Sequence, residues 1–229
     1  MAVILCVETS STNCSVALAS DELNTLQNDY NILSLVDLLE DNSDSYSHGE
    51  RLHVYIKELL DRNDLSPADV SAIAVSAGPG SYTGLRIGVA AVKGMCYALG
   101  IPMIAISTLQ ALALQARPCN TDMVIPMLDA RRMEVYTAVY DKERTLLEPT
   151  PMILDTTSFD NERSGSTVVF IGSGVQKFNE ILPDSPHHFT TAQPTALTMC
   201  DLALEAHKKN DIVDVAYFEP LYLKEFKVG

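Results

Sequence analysis

The chain has 229 residues, 47% of them hydrophobic and 20% charged, with a mean hydropathy of +0.08. That composition builds one large or two modest globular units and excludes a chain that is disordered as a whole. With 16 Lys and Arg against 30 Asp and Glu, the net charge is −14 and the pI near 4.6, a poor counter-charge for nucleic acid phosphates.

In chain order, Ala2–Val7 is a short apolar, β-branched run that reads as a buried strand. The polar turn Glu8–Asn13 follows, and Cys14–Ala19 returns as the second arm of a hairpin. Asp21–Tyr30 is polar and fits no single element. Ile32–Leu39 reads as a third strand, and Asp41–His48 as a loop rich in turn formers. From Gly49 to Asn63 the apolar residues Leu52, Tyr55, Ile56, Leu59 and Leu60 recur at helical spacing and make one stripe. After Ser66–Asp69, a short helical start, Ala72–Ser76 is a buried strand and Gly78-Pro79-Gly80 breaks the chain.

Ser81 or Thr83 caps a helix that runs to about Leu99. It is apolar or small on nearly every side, with only Arg86 and Lys93 charged, so it is expected to have no solvent face and to be covered twice. One cover is its own sheet; the other is a second internal layer or a partner protein. Gly84 and Gly88, four apart, allow close approach on one flank.

Beyond Gly100–Pro102, Met103–Ile106 is a strand and Ser107–Ala116 a helix stopped near Arg117-Pro118. Met123–Leu128 and Met133–Tyr140 are strands joined by Asp129–Arg132, read as a hairpin turn. Pro151–Leu154 and Val168–Ile171 are further strands, Gly172–Gly174 a turn, Val175–Leu182 a short helix and Thr195–Lys208 the last helix. The apolar tail Pro220–Phe226 is expected to pack on the body. These elements divide into an N-terminal lobe, residues 1–106, and a smaller C-terminal lobe, residues 107–229, whose tail returns to the first.

The chemistry on offer is sparse. The turn Glu8–Ser15 has hydroxyls and backbone N–H groups that suit phosphate, with Glu8 near a hydrated metal; taken alone, a plain hairpin turn is the preferred reading. Gly78-Pro79-Gly80 before a helix resembles an anion-binding start but meets neither the GxxxxGK[ST] nor the GxGxxG pattern. His48 and His53 do not share a helical face, His187 and His188 point apart, and no HExxH or GxSxG motif occurs, so no metal site and no nucleophile is expected. The five cysteines Cys6, Cys14, Cys96, Cys119 and Cys200 are odd in number and scattered, against both a disulfide framework and a zinc cluster. The first residues carry no basic leader and no apolar run reaches membrane-spanning length. A cytoplasmic protein without membrane contact is expected.

The run Ser76-Ala-Gly-Pro-Gly-Ser-Tyr-Thr-Gly-Leu-Arg-Ile-Gly-Val89 resembles the TsaB (YeaZ) family. The opening Val7-Glu-Thr-Ser-Ser11, Cys14–Leu18, the stretch Ser107–Ala113 and the tail Pro220–Leu223 fit the same family, closely in the first half and loosely in the second. The resemblance implies an α/β fold of the actin-like/sugar-kinase/Hsp70 (ASKHA) superfold, with two RNase H-like lobes. It also implies a part in forming threonylcarbamoyladenosine at position 37 of ANN-decoding tRNAs. There the transferase is TsaD, the TsaB partner dimerises with it, a small ATPase, TsaE, joins, and tRNA is met only through the complex.

The resemblance further implies a non-catalytic role. The HxxxH metal pair of TsaD-type relatives is replaced here by Thr108 and Leu112, neither of which can stand in for imidazole. Glu8 takes the place of the aspartate usual in ASKHA phosphate loops. Thr9, Ser10, Ser11, Gly78 and Gly80 would mark a vestigial nucleotide cleft, with no cofactor required and ATP or ADP expected at the cleft or the heterodimer interface. In the family the helices matching Gly49–Asn63 and Ser81–Leu99 form a four-helix interface with TsaD, and in homodimers of the lone protein. That assigns Leu52, Tyr55, Ile56, Leu59, Tyr82, Arg86, Val89 and Lys93 to the interface. The alternatives are a nucleotide hydrolase or glycoprotease-like peptidase, and a stand-alone homodimeric regulator.

Overall fold

The computed structural model describes residues 2–22, 28–41, 47–117, 119, 121–141 and 144–224. The loop reading of 42–46, the helix stop at Pro118, the tail beyond 224 and part of the ambiguous 21–30 segment lie outside the described residues.

Two five-stranded sheets share one topology. In the first, β1 (Val3–Glu8) pairs antiparallel with β2 (Cys14–Ser20), which pairs antiparallel with β3 (Leu35–Asp41). On its other side β1 runs parallel to β4 (Ala72–Ser76), and β4 parallel to β5 (Met103–Ile106), giving the order β3-β2-β1-β4-β5. The second sheet repeats this with β6 (Met123–Asp129), β7 (Glu134–Tyr140), β8 (Thr145–Ile153), β9 (Val168–Ile171) and β10 (His188–Thr190), ordered β10-β9-β6-β7-β8 with the same parallel and antiparallel pairings. This is the duplicated α/β architecture of the ASKHA superfold.

Both faces of each sheet are covered, so the central strands are apolar throughout rather than alternating with polar residues. Val3, Leu5 and Val7 of β1 enter the core beneath α1 (His48–Arg62) and α2 (Tyr82–Leu99), while Ile4 and Cys6 face the opposite core. That opposite core is closed by α6 (Cys200–Lys209) through Cys200, Ala203 and Leu204. In the second sheet Ile125 and Met127 of β6 pack toward α4 (Asp160–Arg163) and α5 (Val175–Ile181), and Leu128 packs toward α3 (Thr108–Ala113). The helices cross over: α3 follows the last strand of the first sheet and covers the second, while α6 follows the last strand of the second and covers the first.

After α6 the chain returns along the first lobe as a strap. Val213 bridges Met103 at the edge of β5, and Val213, Val215 and Phe218 pack on the α1/α2 core. The Leu221 N–H donates to the Ala77 carbonyl at 2.7 Å, and Lys224 then pairs with Glu134 on the second sheet.

Several elements differ from the sequence reading, for identifiable reasons. The third strand begins at Leu35 rather than Ile32, because side chains claim the preceding backbone. Asn28 Oδ1 accepts from the N–H groups of Tyr30 and Ile32, and Asp201 Oδ1 accepts from those of Leu33 and Ser34. β8 extends back from Ile153 to Thr145 through Pro149 and Pro151, which a strand tolerates at a sheet edge. The helices expected over 107–116 and 195–208 each contain a 3-10 segment, Leu114–Ala116 at the end of one and Ala196–Met199 at the start of the other. The four-residue α4 and the three-residue β10 were too short to leave a periodic signal.

The first-lobe helix α2 is not buried all round. Thr83, Arg86, Ala90, Gly94, Tyr97 and Ala98 are exposed, a stripe at helical spacing along its outer side. The apolar composition is accounted for by small residues and one aromatic on that side, with the large aliphatic Leu85, Val89 and Val92 facing the core.

Candidate functional site

A cleft of about 1210 Å³ lies between the ends of the two sheets, lined on one wall by the turn after β1 and the start of α2, and on the other by the turn after β6. Because the lobes share a topology, these walls are equivalent parts of each lobe.

Of the five residues expected to form a nucleotide cradle, Ser10, Ser11 and Gly80 lie on the first wall. Several of its polar groups are bonded within the chain, while Glu8 Oε2 and Ser10 Oγ are buried without a hydrogen-bond partner among the described residues. Glu8 and Thr9 are fully buried and Ser10 nearly so. The Ser10 N–H donates to the Glu8 carboxylate, and the Thr9 N–H to Ser76 Oγ at 3.4 Å. Burial drives the Glu8 carboxyl above its ordinary value, and hydrogen bonds from Ser10, Ser76 and Thr9 only oppose that shift. The Thr9 hydroxyl donates to the Gly84 carbonyl at 2.9 Å. A Cβ at Gly84 would lie 2.0 Å from the Thr9 carbonyl oxygen, and one at Gly88 would lie 2.2 Å from Thr9 Oγ1. The two glycines therefore form the groove into which the turn fits.

The start of α2 is occupied in the same way. The Ser81 N–H, the first donor that an anion would find there, donates to the Ser10 carbonyl at 2.6 Å. Ser81 Oγ caps the helix by accepting from Gly84 N–H at 3.3 Å. Gly80 lies so close to Ser10 that a Cβ would come within 2.6 Å of it, and Gly78, at φ +94°, admits the Leu221 carbonyl of the strap. At the rim His48 Nε2 donates to the Ser11 carbonyl at 2.8 Å, and burial holds its imidazole below the ordinary value. Only Ser10, Ser11 and Gly80 of the predicted set reach the cleft; Thr9 and Gly78 do not line it.

The second wall has the same frame and different contents. Gly172, at φ +129°, and Gly174 pack on the Met127 carbonyl as Gly80 packs on Ser10. Ser173 Oγ accepts from Asp129 N–H at 3.1 Å, and Asp129 Oδ1 accepts from Arg131 N–H at 2.6 Å. Lys177 pairs with Asp129 at 3.0 Å and donates to the carbonyls of Arg132 and Glu134. Lys224 of the strap pairs with Glu134 and lies over the Tyr136 ring. Arg131 and Arg132 are both exposed, both line the cleft and both hold left-handed backbone, φ 68° and 50°. That conformation costs about 1–2 kcal/mol for a residue with a side chain. Nothing in the turn reading of Asp129–Arg132 flagged these arginines; the signal was two adjacent cations at a tight turn in an acidic chain.

The predicted interface residues separate into two groups. Leu52, Ile56, Leu59 and Val89 point into the chain's own core, each at most 5% exposed, because the apolar stripe of an amphipathic helix faces its sheet. They form no outward face. Tyr55, Tyr82, Arg86 and Lys93 retain solvent-facing surface. Arg86 lies over the Tyr82 ring at 4.2 Å and Tyr82 packs on Tyr222 at 4.9 Å, while Lys93 donates to the strap carbonyls of Ala216 and Phe218. Sequence reasoning missed the most exposed apolar positions of this face, Tyr97 at 87% and Val54 at 58%. Thr108 and Leu112 are wholly buried in α3. Among the described residues, no group of three or more His, Cys, Asp or Glu side chains is placed to hold a metal ion, and no helix is long and apolar enough to cross a membrane.

Comparison with known proteins agrees with the geometry. Residues 42–219 match a family model described as TsaD, tRNA N6-adenosine threonylcarbamoyltransferase. The Escherichia coli (strain K12) tRNA threonylcarbamoyladenosine biosynthesis protein TsaB is 29% identical over 232 residues, covering 96% of this chain and 94% of that protein. The Bacillus subtilis (strain 168) protein of the same name is 37% identical over 145 residues, 63% of this chain, and the match spans only 58% of its own length. A crystal structure of a Pseudomonas aeruginosa protein described as similar to peptidase YEAZ superposes with a TM-score of 0.78 at 25% identity, covering 98% of this chain and all of that one. YeaZ from the same organism gives 0.75 at 25% identity over 97% of this chain. With this fold, this match over most of its length and these relatives, the chain belongs to the TsaD-type family and, within it, to the TsaB (YeaZ) group.

Proposed function

We propose that this chain is a non-catalytic docking subunit. Its TsaB relatives give it a role in tRNA threonylcarbamoyladenosine biosynthesis. Within that pathway its first lobe, residues 1–106, binds a TsaD-type transferase through the outer sides of α1 and α2. A TsaE-type ATPase joins the pair, tRNA is met through the partners, and the same face makes a homodimer when the chain is alone. The work takes place in the cytoplasm and needs no cofactor on this chain. Any ATP or ADP is held at the cleft or at the heterodimer interface.

The observation that carries this reading is the outer stripe of α2. Ala90, Gly94 and Ala98 give a helix of another protein a close approach, and Tyr97, 87% exposed, is an aromatic anchor with nothing of its own chain to cover it. The first wall of the cleft supports a non-catalytic role, because the Ser81 N–H and the Thr9 hydroxyl, which would otherwise meet a phosphate, are bonded to the chain itself.

The test is light scattering after size-exclusion chromatography of the chain mixed with a TsaD-type protein. A heterodimer is expected. Tyr97→Glu, and separately Ala90→Glu, weakens it about a hundredfold while thermal melts of the free chain stay at the wild-type midpoint. Wild-type heterodimer from both variants would overturn the assignment of this face. Charges at the buried Ile56 or Val89 test folding instead.

A further inference from the structure

Among the described residues ten Lys and Arg side chains form ion pairs with carboxylates. Arg131 and Arg132 are not among them, and neither is either cation of α2, in a chain of net charge −14. Both α2 cations are turned to the strap instead. Lys93 donates to the carbonyls of Ala216 at 2.9 Å and Phe218 at 3.1 Å. Arg86, exposed on the outer stripe, lies 4.2 Å from the centre of the Tyr82 ring, and that ring packs on Tyr222 of the strap at 4.9 Å.

From Asp211 to Lys224 the strap has no helix or strand beyond the single bridge of Val213, so its position is set contact by contact. Val213, Val215 and Phe218 fix its first half to the core. Its second half holds at three points. The Leu221 N–H donates to the Ala77 carbonyl at 2.7 Å, Tyr222 rests on Tyr82, and Lys224 pairs with Glu134 and lies over the Tyr136 ring. Tyr222 and Lys224 are two residues apart, so one line of contacts runs from the outer side of α2 to the far wall of the cleft: Arg86, Tyr82, Tyr222, Lys224, Glu134.

We propose that this line is a relay. A carboxylate of the docking partner draws the Arg86 guanidinium off the Tyr82 ring, that ring then holds Tyr222 less tightly, and Lys224 parts from Glu134. Occupation of the docking face thereby releases the strap at the mouth of the cleft. A charge-assisted, bidentate pair is stronger than an exposed cation–ring contact, and Arg86 has no carboxylate of its own to give up among the described residues. Lys93 and the core contacts keep the first half of the strap in place, so the release is local. The trigger rests on the docking reading; the relay itself lies within one chain.

The readout is hydrogen exchange of the Leu221 amide, followed by NMR in the full chain, because its bond to Ala77 marks a seated strap. In the isolated chain Arg86→Ala and Glu134→Gln, at opposite ends of the line, should each speed that exchange about fivefold. Because both release the same element, the double variant should exchange little faster than either single one, whereas independent losses would multiply to about 25-fold. The Val213 amide, bonded to Met103 at 2.9 Å, should keep its wild-type rate in all three. Asp129→Asn, on the same wall but paired with Lys177, should leave Leu221 as in wild type. A TsaD-type partner added to the wild-type chain should speed Leu221 exchange and add nothing in Arg86→Ala. Wild-type rates in both single variants, multiplied effects in the double, or a heterodimer in which Leu221 stays as protected as in the free chain would overturn the relay. Absence of any heterodimer would overturn the docking reading and the trigger with it; it differs from a failed relay in that the isolated-chain rates then keep the expected pattern.

Discussion

The turns that follow β1 and β6 occupy the same place in two lobes of identical strand order, and their contents are opposite. In the first, Glu8, Thr9 and Ser10 are buried, and the Thr9 hydroxyl and the Ser10 N–H are bonded within the chain, with Thr9 seated in the groove of Gly84 and Gly88. In the second, Asp129, Arg131 and Arg132 are exposed, and Lys177 of α5 reaches the Asp129 carboxylate and the Arg132 carbonyl. The lobes differ likewise outside the cleft. The first carries helices of 15 and 18 residues where the second has helices of 4 and 7. One copy of a duplicated fold fixes a long helix by its turn and presents that helix outward, and the other leaves its turn open to the cleft.

The sharpest way to break this contrast is at the glycines. A methyl at Gly84 meets a backbone oxygen that cannot move away, so Gly84→Ala should cost about 3 kcal/mol or more in chemical denaturation. Gly88→Ala meets only the Thr9 side chain. It should cost about 2 kcal/mol alone and be largely rescued by Thr9→Ala, whereas Thr9→Ala should leave Gly84→Ala uncorrected. Rescue of both, or of neither, would contradict the interlock.

Next in size is the buried acid. Burial holds the folded pKa of Glu8 above the ordinary carboxyl value of 4.5, so the folded chain holds this proton after the unfolded chain has lost it. Its contribution to stability is therefore greatest at low pH and falls as pH rises from about 4.5 through the folded pKa. Glu8→Gln keeps the acceptor for Ser10 N–H without the charge, and it should raise the denaturation midpoint at pH 7 and flatten this decline. Asp129→Asn, at the equivalent but exposed position, loses only the Lys177 pair and should change stability by at most about 1 kcal/mol.

The smallest effect belongs to His48, whose slope has the opposite sign. Burial holds its folded pKa below the ordinary imidazole value of 6.5, so the unfolded chain gains the proton first. Stability that is present above about pH 6.5 is lost as pH falls below it. Denaturation midpoints at pH 7.5 and pH 5.5 should lie closer together in His48→Gln than in the wild type.

The first lobe was legible because its signals are local. The period of α1, the Gly-Pro-Gly break and the β-branched strands each show in a short window. The start of β3 was not, because Asp201 decides it from 168 residues away in the case of Leu33. The outward side of α2 stayed hidden because its sequence is apolar or small at nearly every position, and burial alone separates Val89 from Ala90. The family resemblance grouped Thr9, Ser10, Ser11, Gly78 and Gly80 as a nucleotide cleft. Ser10, Ser11 and Gly80 line the cleft, whereas Thr9 is buried against Gly84 and Gly88, a contact 75 residues apart that no short window shows. Arg131 and Arg132 looked like any hairpin tip until the pairing of the other cations was known.

The most direct test of the account is hydroxyl-radical footprinting of the chain with and without a TsaD-type partner. Tyr97 on α2 and Ile153 on β8 are 87% and 73% exposed in the free chain, so both label readily before binding. The partner is expected to suppress labelling of Tyr97 and to leave Ile153 unchanged. Protection of Ile153 with Tyr97 still labelled would put the docking face on the second lobe and contradict it.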